Sequence, residues 1–237
     1  MSEPCICRGL GYLVNDDKVG AGQRDIKDMI RPCPRCATEE QQAAMARRSG
    51  LEEREQAHTL KDWRIPALEP KMQVQRRQAK TVIQCAIEYK KGFYTFWGDF
   101  GAGKSLALQI VVNEVRAENV QGVYEPMSRI LEHLRMLYGR HENTSRYWEQ
   151  LLAVPVLAID EVTRFNATEW SREKLFELVD TRYRRKDGHL TLFATNDDPT
   201  RSLPPEEALG YLYSRMREGK LVELRGDVRA IAAAQEE

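Results

Sequence analysis

A chain of 237 residues has room for one domain of ordinary size and a smaller appendage, and 42% apolar with 30% charged residues describes a real core under a heavily ionised surface. Lys plus Arg and Asp plus Glu both number 36, so no global basic field draws the chain onto nucleic acid, and any such contact has to be local. The apolar run "VPVLAI" ahead of Asp160 is far shorter than the roughly 20 residues of a membrane helix. The N-terminal "MSEPCICRGLGY" carries no apolar export segment, so the expected location is the cytoplasm, where thiols stay reduced.

Residues 1 to about 40 are rich in Cys, Gly, Pro and Asp, with one strand-like run at 12–14, too little apolar surface for an independent core. Cys5 and Cys7 in "PCICRGLGY" and Cys33 and Cys36 in "RPCPRCA" form two close pairs in turn-forming sequence, and four converging thiolates favour tetrahedral Zn²⁺. A metal would also supply the folding energy that burial cannot. C-x-C is the tighter and less common of the two spacings, chance placement is the competing reading, and a redox C-x-x-C lacks its βαβ context. Cys85, among Val82, Ile83 and Ala86 on a helix, reads as a small core residue, and the four histidines show no ligand spacing. From 37 to about 58 the composition is helix-forming, with a break at Ser49 and Gly50, and "RIPALEP" then places Pro66 and Pro70. The expected division is a zinc module over 1–50, a linker over 51–70 and the main domain over 71–237.

In the main domain, residues 71–90 are helical in composition, "FYTFW" (93–97) is a buried strand, and a glycine turn opens a helix carrying Leu106, Ile110, Val111 and Val115 on one face. A short strand at 123–124, a helix over 128–138 and another near 147–152 precede a second core strand, "VPVLAIDE" (154–161). There follow a helix over about 168–185, a strand "LTLFATN" ending at Asn196, a helix over about 206–218 and a last strand "LVEL". Strands alternating with helices predict an α/β domain with a mainly parallel sheet flanked by helices.

The turn "FWGDFGAGKS" (96–105) fits G-x-x-x-x-G-K-[ST], with Gly98 and Gly103 as its glycines. A triphosphate needs convergent N–H donors, a cation on its outer phosphates and a hydroxyl on Mg²⁺. The backbone of Gly98, Asp99, Phe100, Gly101, Ala102 and Gly103 supplies the donors, Lys104 the cation and Ser105 the hydroxyl. The bare pattern also arises as a chance glycine turn, but the strand before and the helix after favour the phosphate loop. Asp160, closing "VLAI", falls where a carboxylate can hold Mg²⁺ at the sheet's C-terminal edge, and Glu161 is suited to activate an attacking water. Alone, the carboxylate pair could as well be a solvated turn or a helix cap. Asn196, in "FATN", offers a neutral amide to the lytic water or the γ-phosphate, against the plainer reading of a turn residue before Pro199.

A phosphate loop, a D-E strand end and a T-N strand end together resemble the AAA+ ATPases, and within them the DnaC/DnaI-like helicase loaders and the related transposition helper ATPases. The resemblance covers roughly residues 60–230, and "FATN" and "YSRMRE" narrow it. It implies that Arg215 is an arginine finger reaching a neighbouring subunit's γ-phosphate, with Arg217 as the rival and Arg229 a further cation; the plain alternative is an Arg on a polar helix face. Only twenty-two residues follow Arg215, so the resemblance implies a core without a C-terminal lid. It further implies a zinc module that grips a replicative hexameric DNA helicase, and an ATPase domain that meets its own copies and single-stranded DNA. The basic cluster Arg182, Arg184, Arg185 and Lys186 either contacts phosphates or is a solvated helix end. A transposition helper and a non-catalytic nucleotide-binding adaptor are the rival readings.

Overall fold

Alternating apolar strands and amphipathic helices resolve into three layers in the computed structural model, which describes residues 12–14, 30–32, 39–65, 69–137, 141–201, 203 and 208–228. Strands β1 (Tyr12–Val14) and β2 (Ile30–Pro32) pair antiparallel, with Tyr12 opposite Pro32. Helix α1 (Glu39–Arg47) and two single-turn helices at Glu55–Ala57 and Leu60–Asp62 lead to α2 (Pro70–Tyr89). The alternating core is then β3 (Gly92–Gly98), α3 (Lys104–Ala117), β4 (Gly122–Pro126), α4 (Met127–Met136), α5 (His141–Ala153), β5 (Val156–Asp160), α6 (Glu169–Arg184), β6 (Leu190–Thr195), α7 (Ala208–Arg217) and β7 (Lys220–Leu224). Among the described residues β3 to β7 form one five-stranded sheet in the order β4-β5-β6-β3-β7, every pairing parallel.

Alternation along each strand sorts side chains between two faces. Tyr94, Phe96, Val156, Ala158, Leu192 and Ala194 pack under α2 and α3 against Ala79, Ile83, Leu108, Val111 and Val115. Phe93, Leu157, Ile159 and Phe193 point the other way, to Ile130, Leu134, Leu151, Leu175, Leu178, Leu212 and Met216 of α4 to α7. With both faces covered, the strands read as continuous apolar runs. Local chemistry sets the helix ends: Pro70 occupies the first turn of α2, Lys90 closes it in the left-handed region (φ 51°), and Thr168 caps α6 by accepting the Ser171 N–H at 3.2 Å.

The stretch expected as a linker is laid along α3. Leu51 and Trp63 are buried in the first core, and the Asn113 amide donates to the Glu55 and His58 carbonyls at 2.7 and 2.9 Å. Just before it, the Ser49 carbonyl takes the Tyr124 N–H of β4 at 2.7 Å.

The basic cluster needs correction. Arg182 is fully buried, donating to Thr191 Oγ1 at 2.8 Å and to the Val154 and Leu190 carbonyls at 2.7 Å each, because its side chain leaves α6 on the sheet side. It offers nothing to phosphates, and of the other three Arg184 pairs with Asp180 at 2.7 Å. Cys85 is half-buried against the first core, as expected. Cys5, Cys7, Cys33 and Cys36 lie outside the described residues. Among the described residues no helix is long and apolar enough to cross a membrane, and no group of three His, Cys, Asp or Glu is placed to hold a metal.

Candidate functional site

Ligands of open parallel sheets bind beyond the C-terminal strand ends, where neighbouring strands connect in opposite directions. Here that point lies between β3, whose chain crosses to the far edge at β4, and β6, whose chain returns to β7. A cleft of about 340 Å³ opens there, lined by Phe100, Gly101, Gly103, Lys104, Ser105, Leu106, Asp160, Glu161, Ala194, Thr195, Asn196 and Val228. Three strand ends expected to supply the site therefore meet in one place.

The loop from Gly98 to Ser105 is held in shape by the segment after β7. Gly98 sits at φ 124° with the Leu224 carbonyl 2.1 Å from where a Cβ would be, so only glycine fits, and the Asp99 N–H donates to that carbonyl at 3.0 Å. Gly101 is at φ 70°, with an Asp227 carboxylate oxygen filling the equivalent space and its carbonyl accepting the Val228 N–H at 3.1 Å. The Asp99 carboxylate binds the Gly226 N–H at 3.0 Å and Arg225 Nη1 at 2.9 Å, which holds it below the usual carboxylate range. Asp99 thus ties the loop to the chain beyond β7. Lys104, 8% exposed at the start of α3, lays its ammonium across the loop, donating to the Gly98 carbonyl at 3.0 Å and the Asp99 carbonyl at 2.6 Å. The positive end of α3 and this cation face the same cleft.

The opposite wall comes from β5 and β6. Asp160 is 6% exposed; its Oδ2 accepts from the Tyr124 hydroxyl at 2.5 Å and its Oδ1 from the Glu161 N–H at 2.8 Å. Burial, and then the Asp160 charge, push the Tyr124 phenol well above its ordinary value, so it stays a donor. Glu161 adopts φ 46°, a left-handed conformation that costs a non-glycine residue about 1–2 kcal/mol and is held by the Asp160 bond. Its carboxylate meets Arg164 Nη1 at 3.0 Å. The turn presenting Asn196 is braced by Thr195, whose hydroxyl bonds Thr163 at 2.9 Å and accepts the Asp197 N–H at 3.0 Å. Each Asp160 oxygen retains acceptor capacity beyond its one hydrogen bond, and Ser105 lines the same cleft, so the oxygen donors present suit Mg²⁺.

Arg215 is not brought into this cleft. It lies at the other edge of the sheet, in a cavity of about 330 Å³ with Gly92, Phe93 and Lys220, the residues that begin β3 and β7. Its guanidinium stacks on Tyr183 and Tyr211, 4.1 and 4.9 Å from the ring centroids, and pairs with Glu218 at 2.7 Å. Arg217 is instead engaged by the Pro199 and Arg201 carbonyls, and Arg229 lies outside the described residues. Sequence reasoning missed Tyr124, whose role depends on β4 lying beside β5, and the tie between Asp99 and Arg225, signalled only by an acidic residue in the loop and "RGD" beyond the last strand.

No family model and no curated protein matches the chain. Solved structures do. The DnaC helicase loader aligns at a TM-score of 0.59 and 16% identity over 73% of this chain and all of the loader chain (100%). DnaI aligns at 0.56 and 20%, covering 75% and 96% of the two chains. The replication initiator DnaA bound to AMPPCP and single-stranded DNA aligns at 0.58 and 20%, covering 72% of this chain and 50% of that one, so this chain spans about half the initiator's length. Identities this low speak to the fold alone: a parallel five-stranded sheet flanked by helices, shared with these structures.

Proposed function

We propose that this chain is an ATP-dependent helicase loader. It binds ATP with Mg²⁺ on the loop from Gly98 to Ser105, associates with its own copies, holds a replicative hexameric helicase through its N-terminal cysteine module with Zn²⁺, and places that helicase on single-stranded DNA during replication initiation. One observation carries the nucleotide part: Lys104, Ser105, Asp160, Glu161 and Asn196, from three separate strand ends, line one cleft. The DnaC and DnaI likenesses support the loading part and favour it over a transposition helper.

Asp160 and Ser105 would hold Mg²⁺, which would supply positive charge against the outer phosphates. The chain's own groups do the rest. Lys104 neutralises the phosphates, Glu161 takes a proton from the attacking water, and Asn196 orients that water. Lys104→Ala is expected to abolish tight ATP binding, and Glu161→Gln to bind ATP while losing hydrolysis. Equilibrium binding and phosphate release check both, and normal turnover by Glu161→Gln would remove it as the base. The loading part is checked by capture of the hexameric helicase by the full chain and its ATP-dependent transfer to single-stranded DNA; no transfer returns the chain to the transposition or adaptor readings.

A further inference from the structure

Arg76 is a buried cation behind the phosphate loop. It projects from α2, is 2% exposed, and stacks 4.2 Å from the ring centroid of Trp63, whose indole N–H donates back to the Arg76 carbonyl at 3.0 Å. Its Nε donates to the Arg64 carbonyl at 2.9 Å and its Nη1 to the Ala102 carbonyl at 2.8 Å. Among the described residues no carboxylate pairs with it, and burial alone lowers its guanidinium from the ordinary value. A buried charge without a counter-ion is costly, and a neutral side chain could pin residues 63–65 to α2 as well. That packing role explains the Trp63 stack and the Arg64 bond. It does not explain a cation aimed at the loop.

The Ala102 bond has a geometric consequence. Among the described residues every peptide bond is trans, so the Ala102 carbonyl and the Gly103 N–H point in opposite directions within their shared plane. Holding the carbonyl from behind aims the Gly103 N–H at the cleft that Gly103 lines. Gly103 is the left-handed cap of α3 (φ 94°), so its N–H is one of the helix-start donors suited to a phosphate oxygen. Arg76 Nη1 also lies 3.4 Å from where a Cβ on Gly103 would be, with a Trp63 ring carbon at 3.5 Å, so the backing is in contact with the loop.

We infer that Arg76 is a positioning residue for nucleotide binding, acting through the Ala102 carbonyl on the Gly103 N–H, with the phosphates of the bound nucleotide as its counter-charge. This rests on reading the cleft as an ATP site. The test compares full-chain wild type, Lys104→Ala, Arg76→Gln and Arg76→Lys, measuring ATP affinity, KM, kcat and the unfolding midpoint without nucleotide, at a temperature where all are folded. Arg76→Gln is expected to weaken ATP binding and raise KM by about tenfold while kcat changes less than threefold, with Arg76→Lys in between because it keeps the charge but reaches one carbonyl at a time. A role confined to packing would lower the unfolding midpoint and leave the affinity of the folded protein unchanged, which would overturn the proposal. Should Arg76→Gln not fold, Arg76→Lys decides: wild-type affinity there overturns it. Failure of the ATP site itself is separable, since wild type would then bind no ATP or Lys104→Ala would bind as wild type does.

Discussion

Glu125 follows Tyr124 on β4, and its environment runs against the ordinary behaviour of a carboxylate. Its Oε2 is buried and accepts no hydrogen bond, Arg129 stands off at 3.8 Å, and burial pushes the carboxyl up to about 7 despite Arg129. A folded value above the unfolded one means the folded chain holds the proton more tightly. Stability from this group is therefore intact below about 4.5 and declines as pH rises to about 7. The gap corresponds to about 3 kcal/mol as an upper figure. Glu125→Gln is expected to unfold later than wild type in urea at pH 8, and the advantage should shrink on titration towards pH 5. Parallel urea curves at both pH values would mean that water reaches the carboxylate. At this scale Lys104, Ser105, Asp160, Glu161 and Asn196, read from motifs, line one cleft, whereas Glu125 was not legible, because an isolated Glu in "VYEP" carries no mark of what surrounds it.

Among the elements, β7 pairs with β3, and the chain beyond it clasps the phosphate loop through Asp99, Arg225 and Gly226. The Asp99 and Arg225 side chains are both about 45% exposed, which limits their pair to roughly 0.2–1 kcal/mol. Its effect should show in loop order more than in global stability. Asp99→Ala is expected to lower ATP affinity several-fold with a small change in unfolding midpoint, and a double-mutant cycle with Arg225→Ala should return a coupling within that range. Additive effects in the cycle would show the two side chains acting separately. Most elements were legible: "VPVLAIDE" and "LTLFATN" read as buried strands because both sheet faces are covered, and the sheet edge carrying the D-E and T-N ends followed from them. Strand order was not legible, since adjacency of β3 to β6 and β7 rests on pairings far apart in sequence. Arg182 was misread as solvated from its basic neighbours, although Leu175, Leu178, Val179 and Arg182 share the helical spacing of one buried face. The two prolines in "RIPALEP" suggested a boundary, while Leu51 and Trp63, the residues that pack that region onto the core, stand too far apart to form a periodic signal.

For the whole molecule, the decisive feature is that Arg215 and the proposed nucleotide cleft occupy opposite edges of one sheet. Strands rise about 3.3 Å per residue, so the five to seven residues of β3, β5 and β7 separate the two edges by roughly 20 Å. Arg215 is out of reach of its own cleft, and a part in hydrolysis requires a second copy. Arg215→Ala is then expected to bind ATP nearly as wild type does and hydrolyse poorly. Mixing it with Lys104→Ala should restore activity, because some interfaces join an intact loop to an intact arginine. Hydrolysis flat across all mixing ratios, with mixed assembly confirmed independently, would count against the finger. The dependence of Gly98 and Gly101 on Leu224 and Val228 also sets an order of events during translation. At about 5–20 residues per second the ribosome delivers Leu224 roughly ten seconds after Gly98. Until then the nascent loop lacks the backbone partners that shape it, and one side of β3 stands open. The loop therefore reaches its described shape only once the chain beyond β7 is in place.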